Sequence, residues 1–132
     1  MPKFVDVPGI SESLKAKDVP LTPAVVAGGM VYVAGLPPTD LTTGDIVRGD
    51  IETQTRQVLR NLEATLIAAG SDLSHVVKTT ITLTNCAYYT EINEVYKEFF
   101  KAPYPARSVV TVGSWPMPFD IEIECIAEVK SD

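Results

Sequence analysis

The segment IEIECIAEV near the C-terminus alternates between two kinds of side chain, and this alternation restricts the fold more than any other feature of the sequence. One set of positions is apolar: Ile121, Ile123, Cys125, Ala127 and Val129. The other set is mixed: Glu122, Glu124, Ile126 and Glu128. A period of two is typical of a β-strand with one buried face. The segment therefore predicts a sheet with its core on one side, and the mixed opposite face is typical of a contact with another subunit.

The rest of the chain predicts further strands by alternation and helices by apolar side chains at helical spacing. The predicted strands are Lys3–Val7, Ala24–Ala27, Met30–Ala34, His75–Leu83, Arg107–Val112 and Ile121–Val129, and the predicted helices are Ile51–Ala69, capped by Asp50, and Tyr88–Phe100, capped by Asn85. Gly28 and Gly29 predict a hairpin turn between two of the strands. This order predicts an α+β fold in which one mixed sheet carries both helices on one face.

The composition is that of one ordinary globular domain over residues 1–132. A net charge of -6 weighs against nucleic acids and anionic membranes as partners. No apolar stretch approaches the ~20 residues of a membrane span, and the N-terminus lacks the apolar centre of a signal peptide. Cys86 and Cys125 belong to no Cys/His grouping, so we expect free thiols in a cytoplasmic protein and no metal site.

Arg107 and Glu122 begin the last two predicted strands and are candidates for one functional site. An arginine keeps its charge and therefore requires solvent, an acidic neighbour or a bound anion. One interpretation is a structural ion pair between the two residues on a face of the sheet. The other is a ligand site, in which two parallel donors of Arg107 hold a carboxylate and Glu122 orients a water or transfers protons. The pattern of residues is compatible with both interpretations.

Other chemistries have less support in the sequence. The phosphate-binding loop, the dinucleotide-binding glycine pattern, and the zinc-protease and serine-hydrolase motifs are all missing from it. We expect the single histidine, His75, on the surface or at a strand edge rather than in a catalytic group. The sequence therefore favours a site that uses no cofactor and binds a small anion.

Five motifs, in order along the chain, resemble those of the RidA/YjgF family of reactive enamine/imine deaminases, also called the endoribonuclease L-PSP family. They are PLTPAVVAGGMVYVAGLPP, VVKTTITLTN, INEVYKEFF, YPARS and IEIECIA, and the similarity extends from Pro20 to the C-terminus. The resemblance implies a chorismate-mutase-like fold, with a six-stranded mixed sheet and two helices on one face. It also implies a homotrimer with clefts between adjacent subunits, which would bury the mixed face of the sheet.

The resemblance implies a role for three residues of the cleft. Arg107 matches the family arginine that binds the substrate carboxylate. Glu122 matches the glutamate that handles the attacking water, and Asn93 matches an asparagine that shapes the cleft. On this reading the strand that begins at Arg107 carries the guanidinium to a ligand site.

Three other cleft positions depart from the usual family pattern. Leu21 stands where a tyrosine is usual, Ala34 where a serine is usual, and Val109 where many members have cysteine. The backbone carbonyl of Val109 can still contact a water or the leaving nitrogen. The loss of two hydroxyl groups at Leu21 and Ala34 is expected to change the range of substrates.

The activity that the resemblance implies is hydrolysis of a small 2-imino acid, or its enamine tautomer, to a 2-oxo acid and ammonia, without a metal or other cofactor. One alternative is deamination of a longer amino-dienoate such as 2-aminomuconate, for which Leu21 and Ala34 would leave a larger, more apolar cleft. Another is a trimer that binds a small carboxylate without catalysis. Ribonuclease activity, to which the second family name refers, is disfavoured by the acidic charge balance.

Overall fold

Six strands form one mixed sheet in the computed structural model, which describes residues 1–131. In chain order the elements are β1 (Lys3–Val5), α1 (Ile10–Ala16), β2 (Ala24–Ala27), β3 (Met30–Leu36), α2 (Ile51–Ala68), β4 (Val76–Leu83), α3 (Tyr89–Phe99), β5 (Ala106–Thr111) and β6 (Ile121–Glu128). The strand order across the sheet is β1-β2-β3-β6-β4-β5. β4 and β5 are parallel, and every other neighbouring pair is antiparallel. The predicted α+β class and the mixed sheet are confirmed.

Local sequence signals explain where several of these elements begin and turn. The Asp50 side chain accepts a hydrogen bond from the Thr53 backbone N–H at 2.8 Å and so caps α2, as predicted. Gly28 and Gly29 have φ values of 58° and 77°, which are the left-handed values that a two-residue hairpin needs. They join β2 to β3, which confirms the predicted turn.

The core lies between one face of the sheet and the helices. The sheet contributes Val31, Val33, Ile81, Leu83, Ile121 and Ile123, and α2 contributes Val58, Leu59, Leu62 and Leu66, all of them buried. The opposite face of the sheet is open: the Tyr32 and Val110 side chains are 48% and 46% exposed. The alternation seen in IEIECIAEV is therefore confirmed over β6, because Ile121, Ile123, Cys125 and Ala127 are buried and the mixed set points to the open face. Val129 follows the end of β6 and is partly buried.

The N-terminal segment differs from the prediction. The strand predicted over Lys3–Val7 ends at Val5, and a short helix, α1, follows where no helix was predicted. The implied pair of helices thus becomes two long helices and one short one. α1 begins after Gly9 without a side-chain cap, and it is held by the buried Ile10 and by Ser11, whose hydroxyl accepts a hydrogen bond from the Val7 backbone at 2.8 Å.

Candidate functional site

β5 carries Arg107 on the helix side of the sheet. The register pairs Arg107 with Thr79 of β4, and Thr79 is fully buried under α3. Neighbouring residues in a sheet register point to the same face, so the Arg107 side chain points toward α3 as well. β5 is the edge strand, which leaves the guanidinium at the border of the sheet rather than in the core.

A cleft of about 320 Å³ opens between α3 and β5. Arg107, Asn93 and Tyr104 are among the residues that line it. Glu94 and Lys97, on the same cleft, form an ion pair with each other at 3.2 Å. Among residues 1–131 no carboxylate lies within salt-bridge distance of Arg107, so the guanidinium is the uncompensated charge of this cleft.

Asn93 lines the same cleft as Arg107, and Val109 follows Arg107 by two residues along β5. The Oδ1 atom of Asn93 is buried and accepts no hydrogen bond within the described part of the chain. A buried amide oxygen without a partner costs free energy, which a ligand donor in the cleft would recover. Val109 points to the same side as Arg107, two residues further along β5, and packs against the core.

Glu122 lies on the other face of the sheet. It pairs in register with Thr82 of β4, one step out of phase with the buried Ile81. The start of β6 is fixed by Asp120, whose backbone N–H donates to the Gln54 side chain at 2.8 Å. The Thr84 hydroxyl donates to Oδ1 of Asp120 at 2.9 Å. Glu122 therefore projects from a well-anchored strand end.

The surroundings of Glu122 favour its protonated form. Burial raises the pKa of the Glu122 carboxyl above its usual range, and the nearby charge of Glu124 raises the pKa further. The carboxylate also lies directly over β3, because a Cβ atom added to Gly35 would come within 2.8 Å of Oε1 of Glu122. A half-buried carboxyl with a raised pKa has the properties of a general acid or base.

Leu21 and Ala34 belong to the region around Glu122. Ala34 lies next to Gly35 in β3, where two residues stand opposite one residue of β6 in a β-bulge. Leu21 is 43% exposed and lines a small cavity together with Gly35. The predicted site residues thus form two groups. Arg107 and Asn93 line the α3–β5 cleft, with Val109 next on the same side of β5. Ala34 and Glu122 lie at the β3–β6 end of the sheet, where Leu21 lines a cavity that Gly35 also lines.

The two groups do not meet within one chain. Arg107 and Glu122 point to opposite faces of the same sheet, so the register rules out an ion pair between them on one face. A site that uses both residues needs two chains, one contributing the cleft and the other contributing the β3–β6 group.

Two tyrosine side chains that were not among the predicted site residues contact Arg107. The Tyr89 hydroxyl accepts a hydrogen bond from Nη2 of Arg107 at 3.1 Å, and the Tyr96 ring lies beneath the guanidinium. Tyr96 is only 4% exposed and therefore belongs to the core as well as to the surroundings of Arg107. The spacing of Tyr89, Asn93 and Tyr96, at i, i+4 and i+7, was the available signal, because these positions share one helix face.

His75 has neighbours that the sequence did not assign to it. Its Nδ1 atom lies 2.7 Å from Oδ1 of Asp72 and 3.2 Å from the Ser74 hydroxyl. Ser74 also donates to Asp72 at 2.6 Å. Both partners contact the same ring nitrogen, whereas a catalytic triad places serine and aspartate on opposite nitrogens. The cluster is a surface turn, as expected for this histidine.

Metal sites and membrane-spanning helices have no support within residues 1–131. Groups of three or more His, Cys, Asp or Glu side chains close enough to hold a metal ion do not occur there. Both cysteines are free thiols, as predicted. In the described chain, helices long and apolar enough to cross a membrane are also missing.

Known proteins are similar to this chain in both sequence and fold. Residues 13–129 match the family described as Endoribonuclease L-PSP. The chain is 44% identical over 108 residues to Reactive Intermediate Deaminase A, chloroplastic, of Arabidopsis thaliana, covering 82% of this chain and 58% of that protein. It is 36% identical over 108 residues to 2-iminobutanoate/2-iminopropanoate deaminase of Homo sapiens, covering 82% and 79%. The crystal structure of YyfA from Yersinia pestis, of the conserved Rid protein family, matches with a TM-score of 0.89 at 37% identity, over 98% of this chain and 100% of that one.

These likenesses define a class of protein, the α+β domains of the Rid type with one mixed sheet under two long helices. The chain belongs to the RidA/YjgF family, also called the endoribonuclease L-PSP family. Deamination of reactive intermediates is the function that the names of its relatives support at the level of the family.

Proposed function

We propose that this chain hydrolyses small 2-imino acids, or their enamine tautomers, to 2-oxo acids and ammonia. The observation that carries the proposal is the Arg107 guanidinium, which faces a cleft of about 320 Å³ without a carboxylate partner among residues 1–131. A guanidinium offers parallel N–H donors that match a carboxylate group. The substrate class is therefore a small molecule that carries one carboxylate beside its reactive carbon.

The proposed reaction adds one water and releases one ammonia. Arg107 holds the carboxylate and withdraws electron density from the neighbouring imine carbon. Glu122 of an adjacent subunit positions the water and accepts a proton as the oxygen bonds to that carbon. That proton passes to the nitrogen, which gives a carbinolamine. The hydroxyl proton of the carbinolamine is then transferred to the nitrogen, the carbon–nitrogen bond breaks, and ammonia leaves a 2-oxo acid. The pKa of Glu122, raised above its ordinary value by burial, supports a role in accepting and returning protons.

A trimer in the manner of the family would bring the two groups of residues together. Support comes from the open sheet face, where Tyr32, Val110 and the partly buried Ile126 present apolar surface among charged residues. Exposed apolar surface of this kind marks an interface. β5 is an edge strand, so backbone groups along its outer side, where Val109 lies, are left without partners in the sheet and can contact a ligand.

The direct test couples an amino acid oxidase to the purified protein in the presence of semicarbazide, which traps a 2-imino acid as its semicarbazone. Hydrolysis by this protein should lower the rate of semicarbazone formation and raise the rate of 2-oxo acid formation by the same amount. A protein that binds 2-oxobutanoate but leaves semicarbazone formation unchanged is a carboxylate-binding module, and the proposed activity is then wrong.

Arg107→Lys separates a carboxylate clamp from a structural arginine. Lysine keeps the charge but lacks the two parallel donors, so activity on 2-imino acids should fall by about tenfold to several hundredfold, equivalent to the ~1.5–3 kcal/mol of one hydrogen bond to a charged group. Activity on an imine without a carboxylate should change less than twofold. A variant that hydrolyses 2-imino acids as fast as the parent protein would contradict the clamp.

A further inference from the structure

α3 places two tyrosine rings against the Arg107 guanidinium. The Cζ atom of Arg107 lies 5.5 Å from the ring centroid of Tyr89 and 5.0 Å from that of Tyr96. Both distances are within the ~6 Å over which a ring face attracts a cation. The two tyrosines are seven residues apart, about two turns, and therefore share one face of the helix. The guanidinium is thus held along a single stripe of α3.

The two tyrosines are anchored differently. Tyr96 is buried, and its hydroxyl forms a hydrogen bond of 2.8 Å with the hydroxyl of Thr79, the residue beside Arg107 in the sheet register. Burial raises the pKa of Tyr96, so its phenol stays protonated and neutral. Tyr89 is 48% exposed, and the bond of its hydroxyl to Arg107 is its contact with the cleft. Tyr96 therefore fixes the plane of the guanidinium, while Tyr89 contacts its donors.

The hydrogen bond from Arg107 to Tyr89 uses a donor that both binding edges of a guanidinium share. One edge pairs Nη1 with Nη2 and the other pairs Nε with Nη2, and each edge takes one of the two hydrogens of Nη2. The Tyr89 oxygen accepts one of these hydrogens at 3.1 Å. One edge is thereby occupied, and the other stays free to donate two parallel hydrogen bonds to a carboxylate.

We propose that Tyr89 is a positioning residue that determines which edge of Arg107 binds the substrate carboxylate. The proposal rests on the proposed function, because it assumes that Arg107 binds a carboxylate in the cleft. Without the Tyr89 hydroxyl the guanidinium turns between two arrangements, and only one of them directs a free edge into the cleft and binds the carboxylate. The apparent Kd then equals the intrinsic Kd divided by the fraction of molecules in the competent arrangement, so the apparent affinity falls.

The test measures binding of 2-oxobutanoate by isothermal titration calorimetry in the parent protein and in Tyr89→Phe. Removal of the hydroxyl should raise Kd about three- to tenfold, and in the imine assay it should raise KM by a similar factor while kcat stays within twofold. The melting temperature should not change, because Tyr89 is half exposed. Tyr88→Phe is the matched control, since Tyr88 packs against the core and its hydroxyl makes no hydrogen bond to Arg107 in the described chain.

A double-mutant cycle with Arg107→Lys distinguishes edge selection from a merely structural role. Lysine has no planar edges to select, so in that background Tyr89→Phe should change Kd by less than about 1.5-fold. An equal loss of affinity with either residue at position 107 would overturn the proposal, and so would an unchanged Kd in Tyr89→Phe.

The outcome for the positioning role is separable from that for the proposed activity. Binding of 2-oxobutanoate that depends on Tyr89, in a protein that hydrolyses no imine, would support edge selection and refute the deaminase proposal. Hydrolysis of 2-imino acids with the same KM in the parent protein and in Tyr89→Phe would support the deaminase proposal and refute edge selection. A parent protein that binds no 2-oxobutanoate would refute edge selection, because Arg107 then holds no carboxylate.

Discussion

At the scale of single residues, Glu122 illustrates how two neighbours with different properties set the chemistry of one carboxyl group. Burial against β3 is the larger cause of its raised pKa, and the like charge of Glu124, two residues along β6, is the smaller one. Both disfavour the ionised form, and they are separable by mutation because Glu124 is exposed in the described chain and its charge can be removed without changing Glu122 itself. A substitution at Glu124 should therefore change the pKa of Glu122, and the pH dependence of activity should show that change.

If ionised Glu122 is the general base, kcat/KM should fall on acidification through the pKa of Glu122, which lies above the ordinary value for glutamate. Glu124→Gln removes a negative charge and lowers that pKa, so the acid limb of the pH profile should move to lower pH. The limb should stay above the ordinary glutamate value, since burial remains. Steady-state rates measured between pH 4 and pH 8, at intervals of ~0.5 pH units, would show the shift of the acid limb.

Two variants control this experiment. Glu128→Gln removes the same charge from the exposed far end of β6 and should leave the acid limb in place. Glu122→Gln should remove the limb and most of the turnover together. An acid limb that persists in Glu122→Gln would show that another group titrates.

Single residues also show which positions of the candidate site a sequence can reveal and which it cannot. Arg107, Glu122 and Asn93 were identified because a charge at a strand start, or a match to a family motif, is visible in one dimension. Tyr89 and Tyr96 were not, because an aromatic side chain on a helix is explained sufficiently by core packing. Their contact with Arg107 depends on how α3 lies over β5, and no local pattern encodes that placement.

At the scale of elements, the N-terminus of α2 offers a test of a predicted cap. The Asp50 carboxylate accepts the Thr53 N–H at 2.8 Å, and hydrogen bonding by Thr53 lowers the pKa of Asp50. Asp50→Ala leaves that N–H without its partner, so the melting temperature at pH 7 should fall by a few degrees. Thermal unfolding followed by circular dichroism would measure the change.

Asp50→Asn is the matched control, because asparagine keeps the acceptor oxygen and removes the charge. A lowered folded-state pKa gives stability that is present above the ordinary aspartate pKa and is lost as the pH falls through the folded value. The difference between the parent protein and Asp50→Ala should therefore shrink at low pH, whereas that between Asp50→Asn and Asp50→Ala should persist. Equal stability of all three proteins at pH 7 would show that the cap contributes nothing.

Elements were predictable where the chain itself supplies the signal. Alternation identified the strands on both sides of the helices, and Asp50 identified the start of α2. α1 carried no such signal, since it is only 7 residues long and has no side-chain cap. Helices of that length are unstable alone. Contacts with the rest of the fold, such as the bond between Ser11 and Val7, stabilise it, so sequence alone could not show it.

At the scale of the whole molecule, the sheet separates the two groups of candidate residues. The sequence placed Arg107 and Glu122 at the starts of two strands and left their relative orientation open. Orientation follows from register: Arg107 stands beside the buried Thr79, and Glu122 stands beside Thr82 on the open face. Register depends on pairings between distant segments, which local alternation does not determine. If the proposed site uses both residues, one chain cannot close it, and activity should then depend on assembly.

The open face provides the final prediction, that this protein assembles into a trimer through it. Sedimentation equilibrium should give a mass near three times the 14.3 kDa of one chain. Ile126→Glu places a charge among the apolar side chains of that face, where burial in an interface is costly, so the mass should fall toward one chain and the imine hydrolysis should be lost with it.

Ile67→Glu makes the same change on the outer surface of α2, where Ile67 is already 63% exposed, and should keep both mass and activity. Far-ultraviolet circular dichroism should show the parent secondary structure in both variants, so that a lost assembly is not mistaken for a lost fold. A parent protein that sediments as a single chain at every concentration and still hydrolyses 2-imino acids would refute the two-chain site, because Arg107 and Glu122 could then never reach one substrate.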